Sequence, residues 1–155
     1  MTHRAKPGPP REVFISHSHV DREFVGKLAR VLHRRGVRTW YSEAHLLGGV
    51  QWHDEIGRAL ARCDWFLVVL SLASTKSRWV KWELSYALGE ERYLTRIVPI
   101  LLQPCRVRTL SWALPGLQQV DFTGGFARGC RDLLRIWGLG KRTGTGSAAA
   151  QTPAP

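Results

Sequence analysis

The chain has 155 residues, 44% of them hydrophobic and 23% charged, which leaves room for one domain with a packed core and not for two. It contains no run of 18 apolar residues, which excludes a helix that crosses a membrane. Its 23 basic residues outnumber its 12 acidic ones, a net charge of +11, and about +6 remains when Arg4, Lys6, Arg11, Lys141 and Arg142 near the ends are set aside, so anionic partners are favoured over cationic ones.

Residues 1–11 are Pro-rich, polar and basic, and are expected to be a disordered leader without the apolar segment of a secretory signal. Glu12 to Ser16 is a short apolar strand. Ser18-His19-Val20-Asp21 has the look of a capping box. Val20, Phe24, Leu28 and Leu32 recur every four residues, which predicts an amphipathic helix ended by Gly36. Val37 to Tyr41 is a second strand, and Ser42 to Gln51 is a loop holding Gly48-Gly49. Trp52 to Arg62 is a helix with Ile56 and Leu60 facing inward. Cys63 to Ser71 contains the most apolar strand, whose five consecutive residues Phe66 to Leu70 fit a central parallel position. Ser74 to Ser77 can cap the next helix, expected from about Trp79 to Tyr93. Arg96 to Leu102 is a fourth strand, broken by Pro104. Residues 104–117 read as irregular, Leu117 to Phe122 as a fifth strand, and Phe126 to Trp137 as a closing helix. Residues 141–155 are small, polar and Pro-containing, a flexible tail or linker, so the folded domain is expected over 12–140.

Five strands alternating with helices imply an α/β fold: a flavodoxin-like five-stranded parallel sheet with helices on both faces and sites at the carboxyl ends of the strands. The first strand exits at Ser16 to His19, the second into the Gly48-Gly49 loop, and the third toward Trp79 and Glu83. These three segments can converge on one cleft. Trp79 and Glu83, four residues apart, share one face of their helix. A carboxylate beside an aromatic plane suits cleavage of a bond that leaves a cationic sugar, but the same residues also suit a surface helix with Trp79 and Trp82 as packing or interface groups. His17 and His19 alternate at a strand end, yet no carboxylate or Cys joins them at a metal-binding spacing, so no metal is expected. Cys63, Cys105 and Cys130 are odd in number and widely spaced, neither a disulfide framework nor a zinc site, which fits a reducing cytoplasm.

Three segments carry a family resemblance. Phe14-Ile15-Ser16-His17-Ser18-His19-Val20-Asp21 is an apolar strand ending in Ser, with a later Asp. Leu46-Leu47-Gly48-Gly49 sits in the loop after the second strand. Phe66 to Ser71 is followed by Ser77, Trp79 and Glu83, and Pro99 comes after Ile97-Val98. In this order and spacing they resemble the TIR (Toll/interleukin-1 receptor) domain in its bacterial form, over about residues 11–137. His17 replaces a common Tyr, Ser42 a common Asp, and the loop lacks its Pro. The resemblance implies an NAD+ glycohydrolase (or ADP-ribose cyclase) that takes NAD as substrate and needs no cofactor. It implies Glu83 as the catalytic carboxylate and Trp79 as the shaper of the base pocket. His17, Ser18, His19, Trp40, Leu47 and Gly49 would line the nucleotide cleft. Backbone N–H groups near Ser18, with the basic His19 or Arg22, are the candidates for the pyrophosphate. The resemblance also implies self-association with other TIR domains, activation through a sensor domain or separate partner, and a role as a defence effector against phage or as a signal producer. The alternative is an adaptor that binds other TIR domains without catalysis. Nucleic acid is not expected, because the aromatic interleaving of a single-strand binder is missing.

Overall fold

The strands sort their side chains onto two faces, and each face takes its own pair of helices. A computed structural model describes residues 8–41 and 50–140. The expectations for Leu47, Gly48 and Gly49, for residues 1–7 and for residues 141–155 lie outside the described residues. Five strands, β1 (Glu12–Ser16), β2 (Arg38–Trp40), β3 (Trp65–Leu70), β4 (Ile97–Leu101) and β5 (Val120–Asp121), form one sheet in the order β2-β1-β3-β4-β5. Every neighbouring pair is parallel. This is the flavodoxin-like order.

Parallel neighbours need a crossover. It is supplied by α1 (Arg22–Arg34), α2 (Val50–Arg62) and α3 (Arg78–Gly89), and α4 (Phe126–Ile136) follows the last strand. The step from β1 to β2 runs one way along the sheet, and all later steps run the other way. Right-handed crossovers therefore put α1 on one face and α2 and α3 on the other. The core follows this division. Val13, Ile15, Leu67 and Val69 pack with Val25, Leu28 and Leu32 of α1 and Leu133 and Leu134 of α4. Phe14, Phe66, Val68 and Leu70 pack with Ile56 and Leu60 of α2 and Val80 and Leu84 of α3. All six residues of β3 are buried, as its apolar run predicts for a central strand. Among the described residues no helix is long and apolar enough to cross a membrane.

Pro99 sits inside β4, opposite Val68. Residues of a parallel strand bond alternately to either side. Leu102 bonds to Leu70 of β3, while Leu101 accepts from Phe122 on the β5 side. The missing N–H of Pro99 therefore faces the β5 side. β5 begins opposite Ile100, so no ladder bond is lost.

Several expectations change, among them the ends of α2, β4 and α4, which shift by one or two residues. Val20 does not face the core but is 71% exposed, because residues 19–21 form a short 3-10 turn before α1 starts and shift it off the apolar stripe. β2 loses a residue at each end. β5 keeps only two residues, since Gln118 and Gln119 before it are exposed. The third helix stops at Gly89 rather than Tyr93. Tyr93 is buried, and its hydroxyl lies 2.6 Å from the carbonyl of Leu60 and 2.9 Å from that of Cys63, at the end of α2. Arg92 also donates to the carbonyls of Leu60 and Ala61. These side chains satisfy carbonyls that a helix end leaves open, and the chain leaves α3 to reach them.

α4 docks closely where Gly129 meets Phe122. A Cβ at position 129 would lie 2.5 Å from that ring, which is boxed in by Phe24 and Phe126. Gly129→Ala is expected to destabilise the fold by about 1–3 kcal/mol, read as a lower urea midpoint at unchanged slope.

Candidate active site

β1 and β3 send their connections in opposite directions, so a crevice opens beyond their carboxyl ends. Ser16 closes β1 there. Side chains alternate along a strand, so Ser16 shares the face of Phe14, toward α2 and α3. Its hydroxyl donates to Oε1 of Glu83 at 3.1 Å, and both residues are buried.

Glu83 reaches this point because of how α3 is set. Ser77 caps the helix, its side chain accepting from the N–H of Val80 at 3.3 Å. Val80, Glu83, Leu84 and Ala87 then form the buried stripe, with the spacing of an inward helix face. Glu83 thus occupies a core position and is only 3% exposed. Removal from water disfavours the charged form, and the Ser16 hydroxyl offsets this only in part. The carboxyl is pushed up from its ordinary 4.5 to about 8.

A second buried bond crosses the crevice. Ser71, just beyond β3, donates its hydroxyl to Oδ2 of Asp21 at 2.5 Å. Ser71 Oγ also accepts from the N–H of Ser74 at 3.1 Å. Burial raises Asp21 above the usual carboxylate range, against the lowering effect of Ser71. The capping box expected from Ser18 is not formed: neither Ser18 nor Asp21 makes a side-chain cap bond. Asp21 is drawn inward to Ser71 instead.

The aromatic residues divide. Trp79, half-buried, lies one turn before Glu83, with its ring 5.0 Å from that of His53 and 5.6 Å from that of Trp82. Trp82 is 55% exposed. Trp40 stacks on Phe14 at 5.0 Å and packs on the core shared with α2 and α3. His17 is buried, its Nδ1 3.3 Å from the carbonyl oxygen of Ile15 and its ring edge-on to Tyr41 at 5.9 Å. Ser18 and His19 are half-buried, and Nε2 of His19 accepts from Arg22 at 3.0 Å. Burial pushes the thiols of Cys63 and Cys130 up to about 12 and about 11, which leaves neither as a thiolate near neutral pH.

The structure therefore joins the β1 exit to Glu83 directly, with Trp79 adjacent on α3. Leu47 and Gly49 lie outside the described residues. Sequence reading missed Ser16, Asp21, Ser71 and His53. The period-2 pattern of β1 was the available signal for Ser16, since it directs that hydroxyl toward the helix carrying Glu83. The Asp21–Ser71 and His53–Trp79 contacts join segments 50 and 26 positions apart and have no local signature.

A family model described as the TIR domain matches residues 13–134. Among curated proteins, an NAD(+) hydrolase named TcpA from Theionarchaea archaeon is 38% identical over 81 residues, 52% of this chain and 25% of its own length. A 2' cyclic ADP-D-ribose synthase, AbTIR of Acinetobacter baumannii, is 36% identical over 84 residues, 54% of this chain and 31% of its own length. The matched part thus spans about a quarter to a third of these relatives. Among solved structures, the TIR domain of a Toll-related receptor from Hydra magnipapillata has a TM-score of 0.59 at 24% identity, covering 79% of this chain and 87% of that one. The TIR domains of an activated resistosome that recognises the pathogen effector XopQ give 0.66 at 18% identity, covering 80% of this chain and 97% of that one. These two likenesses bear on the fold alone. The 2-1-3-4-5 parallel sheet and a family match running from β1 into α4 have one common reading: the chain belongs to the TIR domain family.

Proposed function

We propose that this domain is an NAD+ glycohydrolase that cleaves the nicotinamide–ribose bond, with Glu83 as its catalytic carboxylate. One observation carries the reading: a carboxyl group held in the protein interior at the carboxyl edge of the sheet, hydrogen-bonded by Ser16 and flanked one turn away by Trp79. A helix acid with only a surface role has no reason to occupy a core position. The names of the relatives, an NAD(+) hydrolase and a cyclic ADP-D-ribose synthase, support the same chemistry.

The reaction needs little machinery. Nicotinamide is bound to ribose as a cationic pyridinium and leaves neutral, so no general acid has to protonate it. The transition state resembles an oxocarbenium ion, as in glycoside hydrolysis. Glu83 supplies negative charge beside the developing cation, and burial makes that charge more effective than in water. The face of Trp79 favours the same cation by about 0.5–2 kcal/mol. Water or an adenine nitrogen then captures the sugar, giving the linear or the cyclic product.

The resting state of Glu83 follows from its environment. With a pKa of about 8 it holds a proton at neutral pH before a cation is brought beside it. A pyridinium placed beside it favours ionisation. We assign activation to self-association, through surfaces that include the exposed Trp82, Tyr86 and Trp112. We assign the domain to the cytoplasm, as a defence effector or signal producer. The same exposed aromatics favour the second reading, a TIR adaptor that assembles without catalysis.

Concentrated or crowded protein incubated with NAD is expected to release nicotinamide, and Glu83→Ala and Glu83→Gln to lower the rate by at least about 10²–10³ while folding and assembly persist. An assembled wild type that releases none would instead support the adaptor.

The pH profile supplies a second check. kcat/KM reports groups of the free enzyme, so it should rise with pH along a limb centred near 8. Ser16→Ala removes a hydrogen bond that favours the carboxylate, and the limb should move to higher pH. A flat profile between pH 6 and 9 would argue against Glu83 as the ionising group.

Stability should follow the same ionisation. Unfolded, Glu83 loses its proton near 4.5; folded, near 8. Between these values the folded state holds a proton that the unfolded chain has released, so stability falls as pH rises. Gln does not titrate. Glu83→Gln should therefore raise the urea midpoint relative to wild type by more at pH 8 than at pH 5. The gap should reach up to a few kcal/mol, at about 1.4 per pKa unit. A gap that narrows toward pH 8 would show that burial does not hold this acid neutral.

A further inference from the structure

Among the described residues, the cations of α1's outer face take part in no ion pair. Arg22, Gly26 and Arg30 are spaced by four residues and form one stripe of the helix, with Glu23 and Lys27 beside it. Together with His19 and Tyr41 they line a groove of about 720 Å³. Among the described lining residues, Glu23 is the one carboxylate. Among the described residues, no member of the groove takes part in an ion pair.

Each cation is held differently. Lys27 places its Nζ 4.3 Å over the ring of Phe126, which ties it to α4. Nη1 of Arg22 bonds to Nε2 of His19 at 3.0 Å and to the carbonyl of His19 at 3.4 Å. Arginine has five N–H donors, so this anchoring fixes the guanidinium and leaves further donors for a ligand. Arg30 folds back over Gly26, where a Cβ would lie 3.9 Å from its Nη1. The glycine keeps the floor of the groove low between the two arginines. Their backbones are about 12 Å apart along the helix axis.

The groove meets the end of β1 on the α1 side of the sheet. Tyr41, half-buried on its wall, touches His17 edge-on, and His17 follows Ser16, the partner of Glu83. A concave surface with excess charge of one sign concentrates ligands of the other. Guanidinium groups match phosphate oxygens in geometry as well as charge. An aromatic wall accepts a base by stacking.

The geometry points to this groove as a seat for a nucleoside diphosphate, the ADP half of the dinucleotide, with phosphates against Arg22 and Arg30 and the base on Tyr41. The assignment rests on the NAD reading above. It gives that substrate a direction: the scissile ribose at Glu83 and the adenosine along α1.

The test titrates ADP into wild type, Glu83→Gln and the double variant Arg22→Gln with Arg30→Gln by calorimetry. Turnover of NAD and of nicotinamide riboside, which lacks both phosphates, is followed in parallel. Both arginines are exposed, so the double variant keeps its fold. ADP should bind wild type and Glu83→Gln alike and the double variant at least tenfold more weakly, with wild-type binding weakening as salt rises. KM for NAD should rise in the double variant with kcat little changed, and the loss in kcat/KM should be larger for NAD than for nicotinamide riboside. Unchanged ADP affinity and unchanged KM for NAD would overturn the groove and leave the NAD reading intact. ADP binding lost in the double variant, with no NAD cleavage by any form, would keep the groove and overturn the NAD reading.

Discussion

Two hydroxyl-to-carboxyl bonds cross the point where the sheet changes direction, and the architecture of the rim depends on them. Ser16 ends β1 and bonds to Glu83, which belongs to the helix after β3. Ser71 follows β3 and bonds to Asp21, which stands before the helix after β1. Each connection is thus tied to the strand that feeds the other. A parallel sheet opens a crevice where its crossovers diverge, and these two bonds span it. A buried carboxyl is expensive unless a partner meets it, so once both acids are inside, both serines must face them.

The same burial supplies the chemistry. Glu83 has no cation beside it among the described residues, and the hydrogen bond it accepts from Ser16 comes from a neutral hydroxyl. Burial raises its pKa to about 8, and in the proposed reaction an arriving cation favours the carboxylate. A pyridinium ring on ribose is such a cation. Arg22 and Arg30, on the outer stripe of α1, are the groups proposed to hold the phosphates, and neither pairs with Glu83. Under the proposed function, this separation of acid and arginines suits a ligand that is cationic at the base and anionic at the phosphates.

The remainder of the fold spends polar groups on holding elements in place. Arg38 and Arg62 converge on Glu12 at the amino end of β1, and hold its carboxyl below the usual range. Tyr93 and Arg92 close the end of α2. Pro99 turns its missing donor toward a stretch that β5 does not cover. These devices sit at the opposite edge of the sheet from the rim or along its side, which leaves the carboxyl ends of β1 and β3 free for a site.

Local pattern alone determined the strands, the helices and their alternation, because apolar runs and four-residue periods are written in neighbouring residues. It sufficed for the parallel class of β3, for the Ser77 cap and for the shared face of Trp79 and Glu83. It misjudged Val20, which a local 3-10 turn takes off the apolar stripe, and it misjudged the end of α3 and the role of Asp21, since these depend on distant partners: Tyr93 on α2 and Asp21 on Ser71. Sequence also marked Glu83 without revealing that it is buried. Only the tertiary structure decided that, by bringing the end of β1 against α3 and removing water from between them. A carboxyl group takes its protonation state from its surroundings, and those surroundings are assembled from residues 67 positions apart.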